Sequence, residues 1–275
     1  MVNWLFEPLQ YSFIVRALAA AVIVGIVCSV IGTYVVLRGM AFFGDALAHT
    51  ILPGVVGAFL LELPLALGAL VFGILSAVGI GFLTERGALR EDTAIGVIFA
   101  GMFALGVAML SAGGNYAVDL AHFLFGNLLG VTVGDLWVTA VLGTIVLLTI
   151  VLFFKEFLVV SFDPLLAVTL RLPTKFLRYL LLILIAITIV VALQVVGIAL
   201  MLAMLVTPPA AASFLTRRLA PMMVLSALIG AFSGVVGLYA SFYVNIASGP
   251  AVVLVSTLVF ICAFLFAPQR GLVWR

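Results

Sequence analysis

Long apolar runs separated by short polar joints dominate the chain. A helix that crosses a bilayer needs about 20 mostly apolar residues. Runs near that length occupy residues 13–37, 46–61, 65–84, 94–112 and 135–154, then 179–196, 197–215, 222–244 and 251–266. Residues 179–215 are too many for one helix and include Gln194, Gly197 and the pair Pro208-Pro209. That stretch predicts a broken helix or two short ones. The expected fold is all-α: a polytopic membrane helix bundle with eight or nine spans.

The opening run predicts a retained membrane helix. The first ten residues hold no basic cluster and include Glu7 and Pro8, and the apolar run after Arg16 outlasts a signal-peptide core. No internal repeat is evident, so residues 1–275 are expected to form a single transmembrane domain without a soluble appendage. Composition agrees: 67% of residues are hydrophobic and 8% charged, with mean hydropathy +1.47. Soluble domains carry about 25% charged residues. A net charge of +2 gives no footing for nucleic acid as a partner. Cys28 and Cys262 both lie within apolar runs and read as packing residues.

Placement of lysine and arginine orients the chain. Basic residues fall in the joints at Arg38, at Arg86 and Arg90, from Lys155 to Arg178, at Arg217 and Arg218, and at Arg270 and Arg275. The joints near Glu62, across 112–134 and across 245–250 have none. Nine spans with the N-terminus outside place every basic joint in the cytoplasm, which favours nine over eight.

In the longest basic joint, Asp163 before Pro164 is a helix start. The carboxylate caps free amides, and proline suits the first helical position. Pro173 ends the segment. A short amphipathic helix of about two to three turns is expected there, with Leu165, Leu166, Val168 and Leu170 on its apolar side. Two readings stand: a helix resting on the membrane interface, or a docking knob for another protein.

Ionisable groups inside a bilayer are costly and are candidates for function. The outstanding cluster is Gly44-Asp45-Ala46-Leu47-Ala48-His49, followed by Leu52-Pro53-Gly54. Asp45 and His49 share one helical face a turn apart. A carboxylate and an imidazole suit manganese, iron or zinc. Two ligands do not complete a site, so other residues, carbonyls, water or a second copy must add to it. The competing reading is a pair that neutralises itself inside the bundle. Asp119 and His122 also share a face. They read as a weaker, entry-side metal contact or as a solvated loop end, and the second is favoured. Glu91 and Asp92 read as acids complementing a helix N-terminus. Pro208-Pro209 and Gly249-Pro250 read either as openings of backbone carbonyls toward a path or as helix ends.

The chain has no glycine-rich phosphate loop, and neither Lys155 nor Lys175 follows one. It is therefore not expected to hydrolyse ATP by that route. His-Glu-x-x-His is also missing.

The stretch from Leu37-Arg38-Gly39-Met40 through Asp45 and His49 to Pro53-Gly54 resembles the ABC-3 family of metal-import permeases. So do Asp92-Thr93-Ala94-Ile95-Gly96, Leu124-Phe125-Gly126-Asn127, Ser161-Phe162-Asp163-Pro164 and Gln194-Val195-Val196-Gly197. Thr207-Pro208, Ser248-Gly249-Pro250 and Ala267-Pro268-Gln269-Arg270-Gly271 complete the set. The resemblance implies a type II ABC importer-like permease in the bacterial plasma membrane, working as a homodimer. It also implies a separate cytoplasmic ABC ATPase dimer and an extracellular metal-binding protein as partners. Residues 162–173 fall where the family has its coupling helix, which assigns ATPase coupling to Phe162, Asp163, Pro164, Leu165, Leu166, Leu172 and Pro173. Asp45 and His49 match the family's metal-passage pair.

The resemblance favours manganese as cargo and implies no tightly bound cofactor. The chain departs from many relatives at Pro208-Pro209-Ala210-Ala211-Ala212, which lacks a threonine, so no metal contact is assigned there. The alternatives are a zinc, iron or metal-chelate importer permease, or an ion-coupled secondary carrier, which needs no docking helix. A membrane scaffold would gain nothing from a costly Asp45–His49 pair.

Overall fold

The computed structural model describes residues 6–85, 89–113 and 128–267. Nine helical segments among them are long and apolar enough to cross a membrane, which settles eight or nine as nine. In chain order the helices are α1 (Ser12–Leu37), α2 (Ala41–Thr50), α3 (Leu52–Leu60), α4 (Leu65–Glu85), α5 (Glu91–Gly113) and α6 (Val133–Leu152). Then follow α7 (Phe154–Phe162), α8 (Pro164–Thr169), α9 (Thr174–Val196), α10 (Ile198–Leu215), α11 (Leu219–Val244) and α12 (Ser248–Phe266). α2 and α3 together make one span, Ala41–Leu60.

α1 and α9 run through the middle. α1 packs against α6, α9, α10 and α11, and α9 packs against α4 and α6 as well. Cys28, Ile31, Tyr34 and Val35 of α1 and Leu181, Ile185 and Ile189 of α9 are buried in one continuous core. By contrast α5, α6 and α12 leave most of their side chains uncovered in the single chain. With mean hydropathy above 2 in each, those faces suit lipid or another apolar surface.

Two breaks position the bundle. Gly197 takes φ 80° and ψ 171° between α9 and α10. That conformation is open to glycine and strained for other residues, so the break expected across 179–215 falls there. Pro208 and Pro209, by contrast, lie inside α10 and are neither a break nor an end. Proline removes the amide that would bond the carbonyl four residues earlier. The carbonyls so released are those of Met204 and Leu205. Ser29 Oγ donates to the Met204 carbonyl at 3.3 Å, and Gly32 lies directly against the Leu205 carbonyl. α1 thus repairs the proline lesion in α10, and the helix continues.

The end of α1 leads into the site. Gly39 has φ 68°. The Met40 amide bonds Val35 O at 2.9 Å and the Gly39 amide bonds Val36 O at 3.1 Å. This is a Schellman closure with glycine in the left-handed position. It turns the chain at once into α2, which starts at Ala41 rather than at the expected residue 46.

Candidate functional site

α2 carries Asp45 and His49 with Asp45 Oδ1 and His49 Nε2 3.7 Å apart. His49 is eight residues into a 20-residue span, about 12 Å from its start at 1.5 Å per residue. That places His49 well inside the span. The helix breaks just beyond, at Ile51. Pro53 has no amide to give the His49 carbonyl, so the regular ladder stops one turn after the pair.

Aromatic rings fix the imidazole. His49 meets Phe99 and Phe103 of α5 edge to face, with ring centroids 5.9 and 5.8 Å away. The two phenylalanines stack on each other at 5.9 Å, and Phe42 abuts Phe99 at 6.2 Å. Behind the pair, Gly44 faces Leu202 and Leu205 of α10. The pair nonetheless opens outward: the Asp45 side chain is 40% exposed and that of His49 32% exposed. No cluster of three or more His, Cys, Asp or Glu side chains occurs among the described residues. One chain thus offers two donors on an open face. Asp119, His122 and the Leu124–Asn127 motif lie outside the described residues.

A second polar cluster joins the ends of α1, α5 and α9, the end that the positive-inside bias makes cytoplasmic. One oxygen, Glu91 Oε1, accepts from Arg38 Nη2 at 3.1 Å and from Arg178 Nη2 at 2.8 Å. Arg178 also bonds Thr84 Oγ1 at 2.7 Å. Beside it Glu85 pairs with Lys175 and accepts from the Tyr179 hydroxyl at 2.9 Å. Burial pushes the Arg38 guanidinium below its ordinary value, Glu91 opposes that, and Arg178 adds to it. A cavity of about 400 Å³ opens here, bounded by Arg38, Glu91, Arg178, Val160 and Val168. Sequence reasoning saw Glu91 only as an acid at a helix start. Its partners are 53 and 87 positions away, and nothing local signals them.

The expected surface helix is α8, six residues long. Asp163 caps it, accepting from the Leu166 amide at 2.9 Å, and Pro164 opens it. It closes through Arg171 at φ 54°, with the Leu172 amide bonding Ala167 O at 3.0 Å. The helix is shorter than the expected 162–173: Phe162 ends α7, and Leu172 and Pro173 lie in the turn before α9. Among the described side chains of α8, Ala167 alone is buried. Leu165 is 82% and Val168 64% exposed, and Phe162, Leu166 and Leu170 are exposed too. α7 was not foreseen. Lys155 and Glu156 read as a joint, yet Phe157 is fully buried edge-on against Tyr34 at 5.8 Å, pinning α7 to α1.

The model of the ABC 3 transport family matches residues 10–267. The manganese transport system membrane protein MntC of Listeria monocytogenes is 47% identical over 266 residues, covering 97% of this chain and 95% of that protein. The chelated iron transport system membrane protein YfeD of Yersinia pestis is 41% identical over 262 residues, covering 94% and 87%. Among solved structures, PsaBC from Streptococcus pneumoniae in complex with Fab contains a chain matching with TM-score 0.85 at 39% identity, over 98% of each chain. With nine segments among its described residues able to span a membrane, and relatives of this kind along nearly its whole length, the chain is a multi-pass plasma-membrane permease and belongs to the ABC 3 transport family.

Proposed function

We propose that this permease imports a divalent metal ion, with manganese as the cargo and Asp45 and His49 as its ligands within the membrane. The open Asp45–His49 pair carries the reading. Asp45 lies four residues, about 6 Å, inside its span, where a carboxylate turned toward lipid is unfavourable, so its exposed face needs a cover that is not lipid. A second copy supplies that cover together with another carboxylate and another imidazole. The two pairs then make an oxygen- and nitrogen-rich site across a two-fold axis, suited to manganese or ferrous iron. Small residues on the adjoining face of α5 (Gly96, Ala100, Ala104 and Ala108 at four-residue spacing) permit close approach of a partner helix. Phe99 and Phe103 hold the imidazole in place while the metal enters and leaves.

Energy for uphill transport comes from a separate cytoplasmic ATPase dimer, which docks on the exposed leucines of α8. An extracellular metal-binding protein delivers the ion. The family membership and the manganese-named relative at 47% identity support this cargo. Iron is the second reading, favoured by the chelated-iron relative at 41%. The test is uptake of manganese, iron and zinc into vesicles holding the permease with its ATPase. ATP-dependent manganese accumulation that His49→Ala abolishes, in a complex still assembled, is expected. Preferential accumulation of iron or zinc overturns the cargo. Normal uptake by both Asp45→Ala and His49→Ala overturns the site.

A further inference from the structure

The Arg38–Glu91–Arg178 cluster joins the three helix ends from which the proposed metal pair can be moved. Arg38 is the last residue before the Gly39–Met40 turn into α2, which carries Asp45 and His49. Glu91 is the first residue of α5, whose Phe99 and Phe103 hold His49. Arg178 lies in the first turns of α9, which follows α8 after a short turn. Val160 of α7 and Val168 of α8 border the same cavity as the cluster. Displacement of α8 therefore has a short physical route to both elements that position His49.

The bonding of the cluster suits a joint that exchanges partners. One carboxylate oxygen serves two guanidinium groups from different helices. Without Glu91 the two guanidinium groups would face each other uncompensated, and α1 and α9 would part from α5 at this end.

We propose that Glu91, held by Arg38 and Arg178, is the positioning residue that couples movement of α8 to the Asp45–His49 pair. This rests on the importer reading above. Glu91 touches no metal; it sets where α5 and α2 stand when the ATPase moves α8.

The experiment uses the assembled permease–ATPase complex in vesicles and reads radioactive manganese taken up per ATP hydrolysed. In Glu91→Gln, hydrolysis continues while uptake per ATP falls about tenfold, within the usual range of coupling strengths. Manganese binding by the nucleotide-free complex stays within about threefold of the unaltered protein. Glu91→Asp, which keeps the charge, recovers a substantial part of the ratio. An unchanged ratio in Glu91→Gln overturns the inference and leaves the importer reading standing. A parallel fall in assembly, hydrolysis and uptake, with Glu91→Asp no better, also overturns it, since Glu91 would then only hold the fold. Absence of ATP-dependent uptake in the unaltered complex sinks the importer reading and this inference with it.

Discussion

Leu165→Asp isolates the docking surface from the fold. Leu165 is 82% exposed, so the single chain loses almost no packing on substitution, and the Asp163 cap and the Pro164 start remain. Any effect must then arise in a complex. Burying a leucine is worth about 1.5–3 kcal/mol, and with four-fifths of this side chain available the forfeited contact is about 2 kcal/mol. A carboxylate pressed into an apolar socket adds about 2 kcal/mol or more. The sum, about 4 kcal/mol, corresponds to roughly a thousandfold in affinity. The assay is binding of purified ATPase to the permease in lipid nanodiscs, with manganese binding to the same sample as an internal control. The expected result is an ATPase affinity at least about a hundredfold weaker with manganese binding intact. ATPase binding unchanged within about threefold would refute the docking role of α8 and return it to a helix lying on the membrane interface.

Three further outcomes follow from the geometry. Phe103→Leu removes one of two rings that orient His49, worth about 1 kcal/mol; manganese binding should weaken about fivefold, read by titration of the complex. Asp163→Ala removes the cap of α8 and should cost that helix about 1 kcal/mol, read as faster hydrogen exchange of the Leu166 amide. Gly39→Ala and Gly32→Ala should separate two uses of glycine in thermal unfolding. At Gly39 an added Cβ meets nothing within 4 Å, so the cost is the left-handed backbone alone, about 1–2 kcal/mol. At Gly32 the Cβ would collide with the Leu205 carbonyl, with a loss of about 3 kcal/mol or more.

The spans were legible because lipid leaves a strong mark: every crossing must be long and apolar, and the nine segments fall where the runs lie. Helix ends were less legible. α2 begins five residues before the expected start, because Asp45 looks like a boundary in a hydropathy profile although it lies within the helix. Pro208-Pro209 misled in the opposite sense. A proline pair ends an isolated helix, yet here Ser29, 175 positions away in the chain, bonds the Met204 carbonyl, and Gly32 packs directly against that of Leu205. The Asp45–His49 pair was visible because its spacing is local and its residue types are rare in membranes. Phe99 and Phe103 stand four apart on α5, a pattern plain in sequence, but only packing reveals that their shared face meets an imidazole.

The position of the pair in α2 has a physical logic of its own. Ligands for a transported ion must hold it without trapping it, which requires a firm scaffold on one side and a yielding one on the other. Phe99, Phe103 and the glycine-lined contact with α10 make the firm side. The yielding side is the backbone: the regular helix ends at Ile51, because Pro53 withholds the amide that would have tied the turn carrying His49 to α3. α3 is in turn locked to α4 where Gly54 and Gly68 meet backbone to backbone. α2 is thus bounded below by the turn at Gly39 and above by the break at Ile51. Under the proposed function, a carboxylate–imidazole pair on a short helix bounded by breaks at both ends is placed to follow small displacements of Arg38 and Glu91. The same pair on an unbroken 20-residue span would move only with the whole span.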